Sequence, residues 1–389
     1  MKKEFNIGID VSRATRQFRG IPIYTRNILQ EFGQMDLEGV NFILTHYPED
    51  LPETDFGIPS ARFEVIPYSG EYLPWARIVQ EQVLYPIFQK RVGLDVFWHP
   101  QNHAQFLTPV GYVLTLHDVL SLSQRNLSQD LDSIDVRALY HSRVKTAKMA
   151  DRVITVSEFS KQEIVDHIGV PHHNIKVIYN GIDHKTFKPN VSKEDVARVR
   201  NKYGLPSQYI LTVGSYSPHK NLDTLLAAYI QSKLSSEGVG LIMVGPKDDQ
   251  IYTSDSLLLE AQIETSGCSD RVKMLSSVPI EDLVAIYNGA KIFVIASRYE
   301  GFGFPPLEAM ACGVPVISSN AASLPEVCGD AVLYADPNES ADFSEKLNYL
   351  LTNEDVIGKM IKAGLGQSAK FSWERTAKET LNVLVNAAR

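Results

Sequence analysis

The chain alternates short apolar runs with stretches of helical spacing, and it does so in two successive series. Phe5 to Asp10, Val40 to Leu44, Phe63 to Ile66, Asp95 to Trp98, Tyr112 to Leu116, Arg152 to Val156 and Ile175 to Tyr179 read as the strands of the first series. Tyr209 to Val213, Val239 to Val244, Val272 to Leu275, Ile292 to Ala296, Val316 to Ser318 and Ala331 to Tyr334 read as those of the second. Runs that are apolar throughout belong to strands covered on both faces, which is the condition of a parallel sheet wrapped by helices. Helical spacing between the runs supplies the crossovers, as in Ile21 to Phe32, Glu194 to Tyr203, Leu222 to Tyr229 and Glu281 to Ala290. The expected class is therefore α/β, with two doubly wound domains. A length of 389 residues accommodates two full cores. The polar stretch from His184 to Ser192, with Pro189, reads as the linker, so the domains are expected over 1–188 and 189–372, with a last helix over Trp373 to Ala388.

One stretch of the second series carries the most chemistry. Ser297 to Pro315 reads S-R-Y-E-G-F-G-F-P-P-L-E-A-M-A-C-G-V-P and follows a buried strand. Gly301 and Gly303 make a turn, Pro305 and Pro306 suit the first turn of a helix, and Gly313 with Pro315 ends it. A glycine turn from a strand into a helix N-terminus binds anions, because unpaired N–H groups and the helix dipole converge there. Glu300 and Glu308 bracket that turn, and carboxylates accept hydrogen bonds from sugar hydroxyls. Phosphate and sugar together are the ligand chemistry this stretch fits.

The other candidates lie where ligands bind in open α/β sheets, at the carboxyl ends of strands. His117 and Asp118 follow one strand and His99 another. Gly214 and Ser215 follow the first strand of the second series, and Lys220 stands at the start of the next helix, where the dipole disfavours an idle cation. Gly20 opens the first helix after a loop with Arg13, Arg16 and Arg19. A solvated face accounts for the basic helix with Arg137, His141 and Arg143 better than an acceptor phosphate does. Leu73 to Arg91 reads as an amphipathic helix packed on a sheet rather than on a membrane.

A net charge of −8 argues against nucleic-acid binding. Cys268, Cys312 and Cys328 have no metal-ligand spacing and suggest a reducing compartment. No run approaches the length of a membrane span, so a cytoplasmic location is expected. No G-x-G-x-x-G follows the first strand, which leaves a dinucleotide oxidoreductase without support.

The residues now match a family. E-G-F-G-F-P-P-L-E, with seven residues between Glu300 and Glu308, resembles the E-x7-E motif of retaining glycosyltransferases, notably glycosyltransferase family 4. His117-Asp118, V-S-E-F-S-K, N-G-I-D, P-H-K-N-L, G-V-P-V-I-S-S-N and S-L-P-E-V stand in the family's order, over nearly the whole chain. The resemblance implies the GT-B fold, two Rossmann-like domains facing each other across a cleft, with the last helix, about 373–389, joining the first domain. It implies that Glu308 takes the nucleotide ribose and Glu300 the donor-sugar hydroxyls. Gly301, Phe302, Gly303 and Phe304 correspond to the loop at the sugar and diphosphate, and Lys220 to the basic residue on the diphosphate. Gly20, Ser215, Val278 and Leu307 fall with the donor side, His117 with a group touching donor sugar or acceptor, and His99 and Asp118 with the acceptor side.

Three positions depart from the family. Ser215 stands where an arginine is common, as does His219, which could add charge only if protonated; Pro22 replaces a glycine and removes a backbone donor. The implied activity is transfer of a hexose, with retention, from a nucleotide-diphosphate donor to a hydroxyl of a glycan or lipid-linked acceptor, with GDP-mannose the expected donor and surface polysaccharide assembly the expected setting. No D-x-D pair ends a strand, so no metal and no separate cofactor are required, and peripheral membrane association is compatible. The rival readings are a UDP-sugar-dependent transferase, an epimerase or phosphorylase-like enzyme on the same architecture, and a non-catalytic sugar-nucleotide-binding scaffold.

Overall fold

The computed structural model describes residues 4–11, 20–46, 58, 61–65, 85–102, 108–119, 144–234, 236–246, 253–276 and 278–388. The chain divides into two compact units, Met1–Gly181 with Ser372–Arg389, and Ile182–Phe371. The arginine loop before Gly20, the first part of the Leu73 to Arg91 helix and the Arg137, His141 and Arg143 face lie outside the described residues.

The first unit is built on β1 (Phe5–Asp10), β2 (Val40–His46), β3 (Ala61–Val65), β4 (Val96–His99), β5 (Gly111–Leu116), β6 (Arg152–Thr155) and β7 (Ile175–Val177). They form one sheet in the order β3-β2-β1-β4-β5-β6-β7, every pair parallel. β4 and β5 are buried along their whole length, as apolar runs without alternation require. The order reverses at β1, whose neighbours are β2 and β4; such switch points open a crevice at the carboxyl ends.

The last helix, Trp373–Ala387, belongs to this unit. Trp373, Thr376, Ala377, Thr380, Leu384 and Ala387 are buried, a single stripe at helical spacing. That stripe lies against the Gly20–Gln34 helix, β4 and β5. Ser372 caps the helix by accepting from the Arg375 amide at 3.2 Å, and Thr376 donates to the Tyr179 carbonyl at 2.7 Å. A Cβ on Gly181 would lie 2.1 Å from the Trp373 nitrogen, so only glycine lets the chain pass there.

The second unit carries β8 (Tyr209–Val213), β9 (Gly240–Val244), β10 (Val272–Leu275), β11 (Ile292–Ile295), β12 (Val316–Ser319) and β13 (Leu333–Ala335). They form a parallel sheet in the order β10-β9-β8-β11-β12-β13, with the switch point between β8 and β11. Ile210, Leu241, Ile292 and Val294 meet Leu225, Phe343 and Leu347 in its core. The unit begins at Ile182, seven residues before the expected boundary, because the polar stretch docks rather than links. Phe187 is buried against the Tyr287 ring at 6.1 Å, and the Lys188 carbonyl accepts from Asn288 at 3.1 Å.

The helix Thr253–Thr265 has no counterpart in the sequence reading. Leu257, Leu258 and Leu259 are consecutive and so spread around the helix; the first two are exposed and only Leu259 is buried. No helix among the described residues is long and apolar enough to cross a membrane. No group of three or more His, Cys, Asp or Glu among the described residues could hold a metal ion.

Candidate functional site

In the second unit the chemistry gathers at the β8/β11 switch point. After β8 the chain passes Gly214 and Ser215 into a single 3-10 turn, Pro218–Lys220. Lys220 therefore sits on this turn, just ahead of the helix Leu222–Gln231. Asn221 holds the turn in place. It is fully buried at a left-handed φ of 58°, and its amide donates to the Ala296 carbonyl at 2.9 Å and the Pro337 carbonyl at 2.7 Å. Gly245 at the end of β9 lets the first loop approach: a Cβ there would lie 1.8 Å from the Gly214 oxygen.

After β11, three serines fix the loop that carries Glu300. Ser297 donates to Glu300 Oε1 at 2.7 Å, Ser319 donates to the Ser297 carbonyl at 2.5 Å, and the Ser323 hydroxyl lies 2.9 and 2.8 Å from the carbonyls of Glu300 and Phe302. Lys220 Nζ donates to the same Oε1 at 2.7 Å. Two residues that the sequence assigned to separate tasks are thus an ion pair, with side chains 16% and 11% exposed. Ser215, Tyr216, Lys220 and Ser297 line a small pocket beside this pair.

Gly303 has φ of 105° and precedes the helix Phe304–Ala311. A residue with a side chain would be strained there. Pro305 and Pro306 lack N–H groups, so Gly303 and Phe304 carry the amides ahead of Leu307 at this helix end. Phe302 packs against Phe304 and Phe371, with ring centroids 5.4 and 5.8 Å away. Leu307 is fully buried in this helix and presents no exposed surface to a ligand.

Glu308 accepts a hydrogen bond from Tyr287 Oη at 2.8 Å. Burial raises its carboxyl to about 7, against the lowering effect of that bond. Val278 lies at the carboxyl end of β10, two strands from β8, and shares only the sheet edge with the pair. His219 is held near 4, first by burial and then by the Lys220 charge, with Glu300 opposing. It is neutral at pH 7 and supplies no positive charge in place of an arginine.

In the first unit, His117 follows β5. Its amide donates to Asn102 Oδ1 at 2.8 Å and its Nε2 lies 3.0 Å from the Pro100 carbonyl. A carbonyl only accepts, so Nε2 carries the proton. Burial lowers the ring to about 4, with the Pro100 bond opposing, so the imidazole is neutral and its Nδ1 presents a lone pair. The Tyr24 ring meets it edge-on at 4.6 Å. Asp118, next in the chain, is half-buried.

His99 differs from the sequence reading, which placed it in the open crevice. It is 3% exposed, between the rings of Phe97 at 4.7 Å and Tyr112 at 5.6 Å, because β4 is covered on both faces to its last residue. Its Nδ1 lies 3.3 Å from Asp10 Oδ2, which Gln101 also contacts through its amide. Asp10 and Gln101 were not singled out in the sequence; two polar residues at the ends of adjacent parallel strands were the only available signal. Gly20 is exposed at the first position of its helix, and a Cβ there would meet nothing within 4 Å among the described residues.

With this geometry in view, comparison with known proteins gives consistent matches. The fold is that of the GT-B transferases. A structure from Anabaena, Alr3699/HepE in complex with UDP and glucose, superposes with a TM-score of 0.76 at 20% identity, covering 98% of this chain and 100% of that one. Residues 18–186 match Glycosyltransferase Family 4 and residues 194–366 match Glycosyl transferases group 1. A glycosyltransferase of Methanocaldococcus jannaschii, MJ1607, is 30% identical over 351 residues, 86% of each chain. The serotype-specific mannosyltransferase WbdA of Escherichia coli is 30% identical over 268 residues, 68% of this chain. That alignment spans 32% of WbdA, so the chain matches about a third of that relative's length. The chain belongs to the family 4 type of GT-B glycosyltransferases.

Proposed function

We propose that the chain transfers a hexose from a nucleoside-diphosphate donor to a hydroxyl acceptor with retention, and that the donor is GDP-mannose. The observation that carries this reading is the Lys220–Glu300 pair at the β8/β11 switch point, with Glu308 held on the adjoining helix. In this reading Lys220 and the amides of Gly303 and Phe304 stabilise the leaving diphosphate, where charge develops in the transition state. A diphosphate that draws Lys220 to itself releases Glu300 Oε1 to accept donor-sugar hydroxyls. Glu308 accepts from the ribose. His117 Nδ1 accepts a hydrogen bond from a hydroxyl of donor sugar or acceptor.

The bond from the anomeric carbon to the diphosphate oxygen breaks as the acceptor oxygen bonds to that carbon on the same face. The acceptor proton passes to the departing phosphate oxygen, so no separate base is needed and Glu300 positions rather than attacks. Mannose is favoured by the likeness to WbdA, a mannosyltransferase by name, and a glycan or lipid-linked glycan is the acceptor class that follows. The test is a panel of GDP-mannose, GDP-fucose, UDP-glucose and UDP-galactose by thermal shift and donor turnover. A binding ligand raises stability in proportion to the logarithm of its excess over Kd. GDP-mannose is expected to give the largest shift. A larger shift with a UDP-sugar replaces the donor, and no shift with any member rejects the donor site.

A further inference from the structure

The Ile280–Gly289 helix reads from its spacing as an apolar face, yet Tyr287 on that face ends in a hydroxyl that reaches Glu308. Tyr287 is fully buried, and its ring is gripped between Phe187 at 6.1 Å and Phe293 at 5.7 Å. A phenol has one proton, and here it goes to Glu308 Oε2. Among the described residues Glu308 Oε1 takes no hydrogen bond from protein, and it is not among the buried unpartnered atoms. One carboxylate oxygen is thus anchored and the other is open.

We propose that Tyr287 is the positioning residue for Glu308, anchoring Oε2 so that the open side of the carboxylate receives the vicinal hydroxyls of the nucleotide ribose. This rests on the reading of Glu308 as the ribose ligand.

The same geometry makes nucleotide affinity depend on pH. The titratable groups facing Glu308 are Tyr287 from the neighbouring helix and Cys312 at the end of its own. Burial pushes the Cys312 thiol up to about 12 and the Tyr287 phenol well above its usual range, so both are neutral and neither offsets the carboxylate charge. The Glu354–Ser368 helix, packed on the other side, contributes Gly364 against Met310. Glu308 is left with a single neutral donor and titrates near 7. Its ionised form is the stronger acceptor for both hydroxyls of a diol, and its protonated form carries an O–H that competes with them.

The experiment measures the Kd of GDP and of UDP by calorimetry from pH 5.5 to 9, for wild type, Tyr287→Phe and Glu308→Gln. Wild-type affinity for the better nucleotide is expected to fall about tenfold between pH 8 and pH 6, the ratio of ionised fractions for a group titrating at 7. Removing the Tyr287 donor removes what lowers the Glu308 carboxyl. Tyr287→Phe should therefore move the midpoint to higher pH, weaken binding at pH 7 and recover toward wild-type affinity at pH 9. A merely structural loss would weaken binding equally at every pH. An unmoved midpoint in Tyr287→Phe overturns the inference while leaving Glu308 on the ribose. A Glu308→Gln protein with wild-type affinity and pH dependence overturns the ribose reading itself.

Discussion

Lys220→Met removes the ammonium from the ion pair at the switch point and keeps the length of the side chain. Nζ and Oε1 are 2.7 Å apart, and unit charges at that distance attract by roughly 6 kcal/mol at an effective dielectric constant near 20. Desolvation cancels much of that gain, and stranding one member of a wholly buried pair costs about 3–5 kcal/mol. With side chains 16% and 11% exposed, and with Ser297 still donating to Glu300, we expect about 2 kcal/mol of lost stability. For a unit of this size that lowers Tm by about 6 °C. The catalytic loss should be larger, about 100- to 1,000-fold in kcat, the effect of deleting one donor aimed at developing charge. Lys220→Met/Glu300→Gln separates the two effects. It removes the stranded carboxylate and should regain most of the Tm while remaining inactive. Donor turnover by nucleotide release, alongside thermal melts of both variants, makes the comparison. A Lys220→Met protein within about threefold of wild-type kcat, on the scale where one such donor is worth 100-fold, refutes the diphosphate role.

His117 and His219 are both held near 4 by burial. A neutral buried histidine stabilises the fold fully above its unfolded value near 6.5, and this contribution is lost as pH falls toward 4; Tm should drop across that window, and His219→Gln should flatten part of the drop. Asn221→Ala strands the buried carbonyls of Ala296 and Pro337 and places alanine at a left-handed φ. We expect about 2–4 kcal/mol of destabilisation by denaturant titration, with donor affinity falling in parallel because Lys220 is the preceding residue.

Much of this fold was legible because parallel strands announce themselves. Most strands among the described residues correspond to apolar runs, and β4, β5, β9, β11 and β12 are buried along their whole length, which leaves no polar alternation to confuse the reading. Helices with one apolar stripe were as clear, and Trp373–Ala387 is the best case. Thr253–Thr265 was not, because three adjacent leucines define no stripe. The stretch after His184 looked like a linker because most of its side chains are polar, whereas one phenylalanine and one backbone carbonyl dock it. At the site, residue types were legible and pairings were not. Lys220 and Glu300 stand 80 positions apart, and only the β8/β11 neighbour relation brings them together. Tyr287 counted as an apolar residue until its hydroxyl was seen on Glu308. His99 was placed at the correct strand end, but a strand end does not say whether its last side chain is covered.

Crystals of the protein with GDP-mannose, at a concentration well above its Kd, should hold the nucleoside-diphosphate sugar at the β8/β11 switch point. Lys220 Nζ and the amides of Gly303 and Phe304 are expected within hydrogen-bond distance of the diphosphate, and Glu308 on the ribose. Density for the nucleotide elsewhere on the protein, with the Lys220–Glu300 pair intact beside an empty β8/β11 edge, would contradict this placement.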